Sequence, residues 1–249
     1  MRIAVIGGTG TVGREVVAAA HARGHDAVVL ARSTGVDVLQ PPRAGLAAAL
    51  AGADVAIDVA SVGTMSAEES VAFFQQASRN LLTAAAETGI RHIVVLSIVG
   101  IDRNPHGYYA GKVAQEAEYA AGTVPSTILR ATQFHEFAQQ VAAQAKLGPL
   151  QIAPRARVQP IAASAVAERL VALAEGAPAG RADDIAGPHE EALSDMVRAW
   201  VRHEGRRGPV LPMSLPGPQM RGMRQGFALP GPEAQLLGPS FIEWLAERS

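Results

Sequence analysis

The feature that most constrains this chain is a run of glycines close to its start. Ile3, Ala4, Val5 and Ile6 form a short apolar stretch of the kind a buried parallel strand uses. Gly7, Gly8, Thr9, Gly10, Thr11, Val12 and Gly13 follow directly. Val12, Val16 and Ala20 then share one helical face, with Arg14 and Glu15 off it, and Gly24 stops the helix. A strand, a glycine turn and a helix start in that order make an anion site. Gly7 permits the tight turn, Gly10 admits a diphosphate close to the backbone, and Gly13 lets helix and strand approach. The N–H groups around Thr9, Gly10, Thr11 and Val12, with the positive end of the helix dipole, face the anion.

The three glycines are three residues apart, giving GxxGxxG rather than GxGxxG. This spacing resembles that of the atypical and extended short-chain dehydrogenase/reductases, including their NmrA-like branch. The resemblance implies an NAD(P)-binding Rossmann-type fold, a doubly wound parallel α/β sheet with a small C-terminal substrate lobe. The expected division is one domain over 1–249, with a core to about 187 and a lobe over about 188–249.

Composition agrees with such a domain. Of 249 residues 48% are hydrophobic and 18% charged, so a large core is available and disorder is not expected. The net charge of −1 points to neither nucleic acid nor an anionic membrane. The absence of cysteine excludes disulfides, thiolate metal sites and a thiol nucleophile. No apolar stretch is long enough to span a bilayer and no basic segment with an apolar stretch precedes the first strand, so a cytoplasmic protein, monomer or homodimer, is expected. His21 and His25 are four apart, but Gly24 separates them, and no metal site is expected.

Ala27 to Leu30 read as the second strand. NAD sites place a carboxylate near its end, on the ribose hydroxyls. Here Arg32 stands there, followed by Ser33 and Thr34. A guanidinium pairs with a 2′-phosphate where a carboxylate repels it, so the expected cofactor is NADP(H). A connection broken at Pro41-Pro42 leads to a small helix around Leu46 to Leu50. Val55 to Val59 make the third strand, and Ala60 and Ser61 open a loop over the adenosine half of the cofactor. Asp58, inside that strand, reads as a loop cap. A long helix over Glu68 to Thr88 ends at Gly89, and His92 to Ser97 form the fourth strand.

Ser97 ends that strand, and Tyr108 and Lys112 follow at the start of a helix. Residues four apart share a helix face, so phenol and ammonium can converge. A phenol of pKa about 10 is a poor acid–base group at neutral pH, and a nearby ammonium lowers it. Ser97 would bond a carbonyl oxygen, Tyr108 would protonate it, and Lys112 would also hold the ribose hydroxyls. Tyr109 is a rival for the tyrosine role without the four-residue spacing to Lys112. The set resembles the Ser, Tyr and Lys of the short-chain dehydrogenase/reductases, and Leu96-Ser97-Ile98-Val99-Gly100 resembles the family's Leu-Ser-Ser-x-Gly strand end.

Ile128-Leu129-Arg130-Ala131-Thr132 resembles the family's Ile-Leu-Arg-Pro segment, with Ala131 replacing the proline. The resemblance implies that Ala131 and Thr132 meet the nicotinamide end, and that Thr132, Gln133, Phe134 and His135 line the substrate side. Val158 to Ile161 read as a strand, Ala163 to Glu175 and Leu193 to His203 as helices, and Ile185-Ala186 as a late strand. Phe241, Trp244 and Leu245 pin a terminal helix. The segment from Pro209 to Pro232 fits a mobile lid, a packed loop or a subunit contact. The expected activity is NADPH-dependent reduction of a small apolar carbonyl or quinone. Two alternatives stand beside it, a non-catalytic NADP-binding redox sensor and a nucleotide-sugar epimerase or dehydratase.

Overall fold

The computed structural model describes residues 1–41, 45–144, 146–147 and 150–248. In chain order the elements are β1 (Arg2–Ile6), α1 (Thr11–Ala22), β2 (Asp26–Leu30), α2 (Leu46–Leu50), β3 (Val55–Asp58), α3 (Ala67–Thr88), β4 (His92–Ile98), α4 (Tyr108–Ala121) and β5 (Ser126–Ala131). The chain continues as α5 (Phe137–Gln144), β6 (Lys146–Leu147), β7 (Leu150–Pro154), β8 (Arg157–Val158), α6 (Ala163–Glu175), β9 (Gly180–Arg181), β10 (Ile185–Ala186) and β11 (Glu191–Ala192). It ends with α7 (Leu193–His203), β12 (Val210–Met213), α8 (Pro218–Arg224), β13 (Gln235–Leu236) and α9 (Phe241–Ala246). Two compact units result. Unit 1 comprises 1–98, 106–130 and 166–183; unit 2 comprises 99–105, 131–165 and 184–249.

Unit 1 is a parallel sheet in the order β2-β1-β3-β4-β5, with the short β9 beside β5. Strands buried on both faces read as continuous apolar runs, and this is why Ile3–Ile6 and Ile93–Leu96 are legible as strands. Ala4, Ile6, Ala56, Ile93, Val95 and Ile128 face a cluster completed by Leu46, Leu50, Leu81, Ala84, Ala85 and Tyr119 from α2, α3 and α4. The alternate residues Ile3, Val5, Ile57 and Val94 are equally buried on the opposite face, as the two-residue period of a strand requires. Helix α3 starts at Ser66, whose hydroxyl accepts from the N–H of Glu69, and stops at Gly89 with φ +76°. A mostly parallel sheet with flanking helices is the Rossmann-like α/β arrangement that the glycine turn implies. Among the described residues, no helix is long and apolar enough to cross a membrane.

Unit 2 has its own core. Helix α7 buries Leu193, Met196, Val197, Trp200 and Val201, spaced so that they form one stripe, against Val141, Ala153, Met223, Phe241 and Trp244. Burying side chains of this size contributes about 1.5–3 kcal/mol each. Ala131 pairs with Ile185 of β10, and β10 pairs in parallel with β13.

Three expectations change here. The second unit does not begin near 188, because residues 131–165 and 99–105 already belong to it. Its core draws on α5, β7 and β8 as well as on the C-terminal third. Residues 209–232 are built structure, since β12 pairs in parallel with β7 and α8 follows with Met223 in the core. The expected strand over 158–161 is shorter, with β8 at Arg157–Val158 and Ile161 joined to Phe134 by an isolated bridge. Pro42, half of the expected Pro-Pro break, lies outside the described residues.

Candidate active site

The glycine turn closes on backbone bonds. The N–H of Gly7 donates to Leu30 at 2.8 Å and that of Gly10 to Gly7 at 2.9 Å, while the Arg14 guanidinium donates to the Thr9 carbonyl at 2.6 Å. Gly7 has φ +80°, the left-handed region glycine favours. A Cβ on Gly13 would collide with the carbonyl of Gly7 and the Cα of Gly8, so this glycine is required by the turn packing on itself. A Cβ on Gly10 would meet only the Gly7 carbonyl, at 3.2 Å. Among the described residues, no other non-neighbouring atom lies within 4 Å of that Cβ position. Gly10 is also the N-cap of α1, with no side-chain cap and no acidic residue in the first turn. Among the described residues no side chain caps the first N–H groups of α1, which include Thr11 and Val12, and a helix start of this kind suits an anion such as a dinucleotide diphosphate.

After β2, Arg32, Ser33 and Thr34 form a single 3₁₀ turn, and all three are exposed. The Thr34 hydroxyl is engaged locally. It accepts from the Ala31 N–H at 3.0 Å and donates toward the Ala31 and Val29 carbonyls. Its hydroxyl is thus less available for the expected phosphate contact, while Arg32 and Ser33 are exposed.

Asp58 closes β3. It is 2% exposed, and its carboxylate has three donors. One oxygen accepts from the Ala60 N–H at 3.0 Å, which fixes the loop as a cap would. The other accepts from the Gln115 amide at 2.9 Å and the Tyr119 hydroxyl at 2.7 Å, both on α4. Next along the loop, the exposed Ser61 places its hydroxyl 2.8 Å from that of Tyr108. Tyr108 is held on its other sides as well. Its carbonyl accepts from the Ser70 hydroxyl at 2.9 Å, and its ring meets Phe74 edge-on at 5.5 Å. A side chain at Gly111 would strike Ser70, so α3 and α4 touch through backbone.

Lys112 does not make the contact its spacing suggested. Its ammonium donates to the Leu96 carbonyl at 2.7 Å and to the Gln115 side-chain oxygen, and lies 4.5 Å from the centre of the Phe74 ring. Burial draws its pKa down to about 8, against the opposing charges of Asp58 and Glu116. The Tyr108 phenol is accordingly not lowered. Burial raises it, the Ser61 hydrogen bond pulls it back, and the Asp58 charge raises it further. A lysine side chain is long enough to turn from the tyrosine on its own face to a carbonyl of β4, and here it does. The residue it reaches, Leu96, precedes Ser97, whose buried hydroxyl has no hydrogen-bond partner among the described residues.

The residues expected on the nicotinamide and substrate side lie in unit 2. Ala131 is buried in strand pairing, and the Thr132 hydroxyl donates to the Gln159 carbonyl at 2.5 Å. Gln133 and Phe134 are half-buried. His135 is fully enclosed. Its ring donates to the Pro239 carbonyl at 3.1 Å and packs against Phe241 and Trp244. Burial lowers its pKa to about 4. The Phe134–Ile161 bridge, rather than a helix start, sets its direction. Sequence reasoning missed Phe74, Gln115 and Tyr119. Their recurrence at helical spacing marks them as inward-facing, but nothing in the sequence marks Asp58 and Lys112 as what they face.

No curated protein sequence matches the chain. Solved structures do match in fold. The NADPH-dependent quinone oxidoreductase of Escherichia coli, complexed with NADPH, superposes with a TM-score of 0.73 at 18% identity over 99% of both chains. An NAD-dependent NDP-hexosamine 5,6-dehydratase of tunicamycin biosynthesis gives 0.74 at 16% identity, over 100% of this chain and 99% of that one. The UDP-N-acetylglucosamine 4-epimerase of Bacillus cereus gives 0.71 at 16% identity, over 99% and 94%. At such identities the likeness shows the fold alone. The family is shown by the sequence, because residues 7–175, more than half of the chain, match the model of the NAD(P)H-binding domain; the chain belongs to the NAD(P)H-binding family.

Proposed function

We propose that the chain is an NADPH-dependent reductase of the short-chain dehydrogenase/reductase type, acting on a small apolar carbonyl or quinone. The observation that carries this reading is the Tyr108 phenol, fixed at the first residue of α4 by the Ser61 hydroxyl and the Phe74 ring. A reduction needs a positioned proton donor, and a protonated phenol is one.

The glycine turn and the start of α1 would hold the diphosphate, and Arg32 and Ser33 the 2′-phosphate that selects NADP(H) over NAD(H). When bound, the reduced nicotinamide supplies a hydride. Tyr108 gives its proton to the carbonyl oxygen as charge grows there. Ser97, with a hydroxyl that has no partner among the described residues, is suited to bond that oxygen. Lys112 ties α4 to the strand that carries Ser97. The quinone alternative is supported by the quinone oxidoreductase among the structures of like fold.

One observation favours a second reading, a NADP-binding sensor without turnover: the Lys112 ammonium bonds Leu96 and Gln115 and has no part in the shift of Tyr108. The two are separated by incubating the protein with NADPH and a panel of short aldehydes, ketones and quinones, with NADPH binding measured in parallel. A reductase oxidises NADPH with at least one of them. Tight binding without oxidation leaves the sensor.

A further inference from the structure

We propose that Ser61 is the proton-relay partner of Tyr108, and that Asp58 positions the pair. This rests on the reductase reading above and adds a residue to it.

A tyrosine that gives up a proton in each turnover must regain one. Spacing made Lys112 the natural source, but the residue is 4% exposed and its ammonium is committed to Leu96 and Gln115. Ser61 is exposed and its hydroxyl is 2.8 Å from the phenol oxygen, within the range for a good O–H···O bond. Ser61 thus sets an exposed hydroxyl directly against the phenol. From α3 the Phe74 ring meets that of Tyr108 edge-on, and from α4 the Tyr109 ring does the same. The charged group acting on the phenol is Asp58 of β3.

The pair is held in register by one carboxylate. Asp58 fixes Ala60, the residue before Ser61, with one oxygen, and Gln115 and Tyr119 of the helix that begins at Tyr108 with the other. Loop and helix are thus anchored to the same buried group. A bond between a loop hydroxyl and a helix phenol is otherwise easily lost to water.

The relay balances. The Tyr108 O–H bond breaks and its proton goes to the substrate oxygen. The Ser61 O–H proton moves to the phenolate oxygen, and a water proton moves to Ser61. One proton is drawn from solvent, and the electron pair comes with the hydride from NADPH.

The chain has three tyrosines, Tyr108, Tyr109 and Tyr119, so Tyr108 is followed by NMR of protein carrying ¹³C at the tyrosine ring carbon bonded to oxygen. Ser61→Ala and Ser61→Thr are compared with wild type. In Ser61→Ala the Tyr108 midpoint should rise by roughly half to one pH unit, the value of one lost hydrogen bond. NADPH turnover should fall about tenfold, in kcat more than in KM, and Ser61→Thr should restore both. An unmoved midpoint, or a moved midpoint with unchanged kcat, overturns the relay. The reductase reading fails separately, on wild type that oxidises no NADPH; the titration still decides the coupling in that case.

Discussion

The Lys112 ammonium donates to the Leu96 carbonyl at 2.7 Å, so the lysine of the Tyr-x-x-x-Lys pair is bound to β4 rather than to its tyrosine. This has a consequence for stability. The pKa of Lys112 is about 8 in the folded chain, below its unfolded value of about 10.5. Between these values the unfolded chain binds more protons, so stability should rise with pH from about 8 to 10. Denaturant midpoints across that window check this, and the rise should be absent in Lys112→Met.

His135 gives the corresponding effect in acid. Its folded pKa is about 4, below the usual 6.5, so its contribution to stability is complete above pH 6.5 and is lost as pH falls toward 4. By pH 5 the loss should be on the order of 2 kcal/mol from this group. His92, also lowered by burial, adds in the same direction. His135→Gln keeps a donor for Pro239 and does not titrate. Urea unfolding at pH 7 and pH 5 should show a smaller difference for the variant than for wild type.

The glycines separate binding from folding. Gly10→Val should abolish NADPH binding in a folded protein, because its Cβ meets only the Gly7 carbonyl and the φ of −73° suits any residue. Gly13→Ala should destabilise the chain by about 1–3 kcal/mol, because its Cβ collides with backbone. Circular dichroism and calorimetric titration together distinguish the two outcomes.

Arg32→Asp should leave stability unchanged, since the residue is exposed, and weaken NADPH by about 10- to 100-fold, the value of a charge-assisted bond. NADH should bind equally or better. Titrations of both cofactors check this, and equal wild-type affinity for the two would remove Arg32 from the cofactor site.

Much of unit 1 was legible because its signals are local. The run Ile3–Ile6, the glycine spacing and the period of Ala163–Glu175 each fix an element without long-range information, and α6 and α7 have the expected bounds. The parallel pairing of β7 with β12 was not, because residues 150–154 and 210–213 are about sixty apart and both runs contain proline, which reads as a break. The same holds at the site. The four-residue step from Tyr108 to Lys112 gives a shared face, but not the direction of a long side chain. That direction is set by Leu96, Gln115 and Asp58. Asp58 was readable as a loop cap through Ala60, two residues on; its bonds to Gln115 and Tyr119, about sixty residues away, were not.

The central claim is that Tyr108 is the proton donor of a reductase. Tyr108→Phe keeps the ring against Phe74 and removes the hydroxyl. NADPH oxidation with the best carbonyl or quinone acceptor, followed by loss of NADPH absorbance, should fall about 10²- to 10⁴-fold in the variant with NADPH affinity unchanged. Oxidation at the wild-type rate in Tyr108→Phe would contradict the claim.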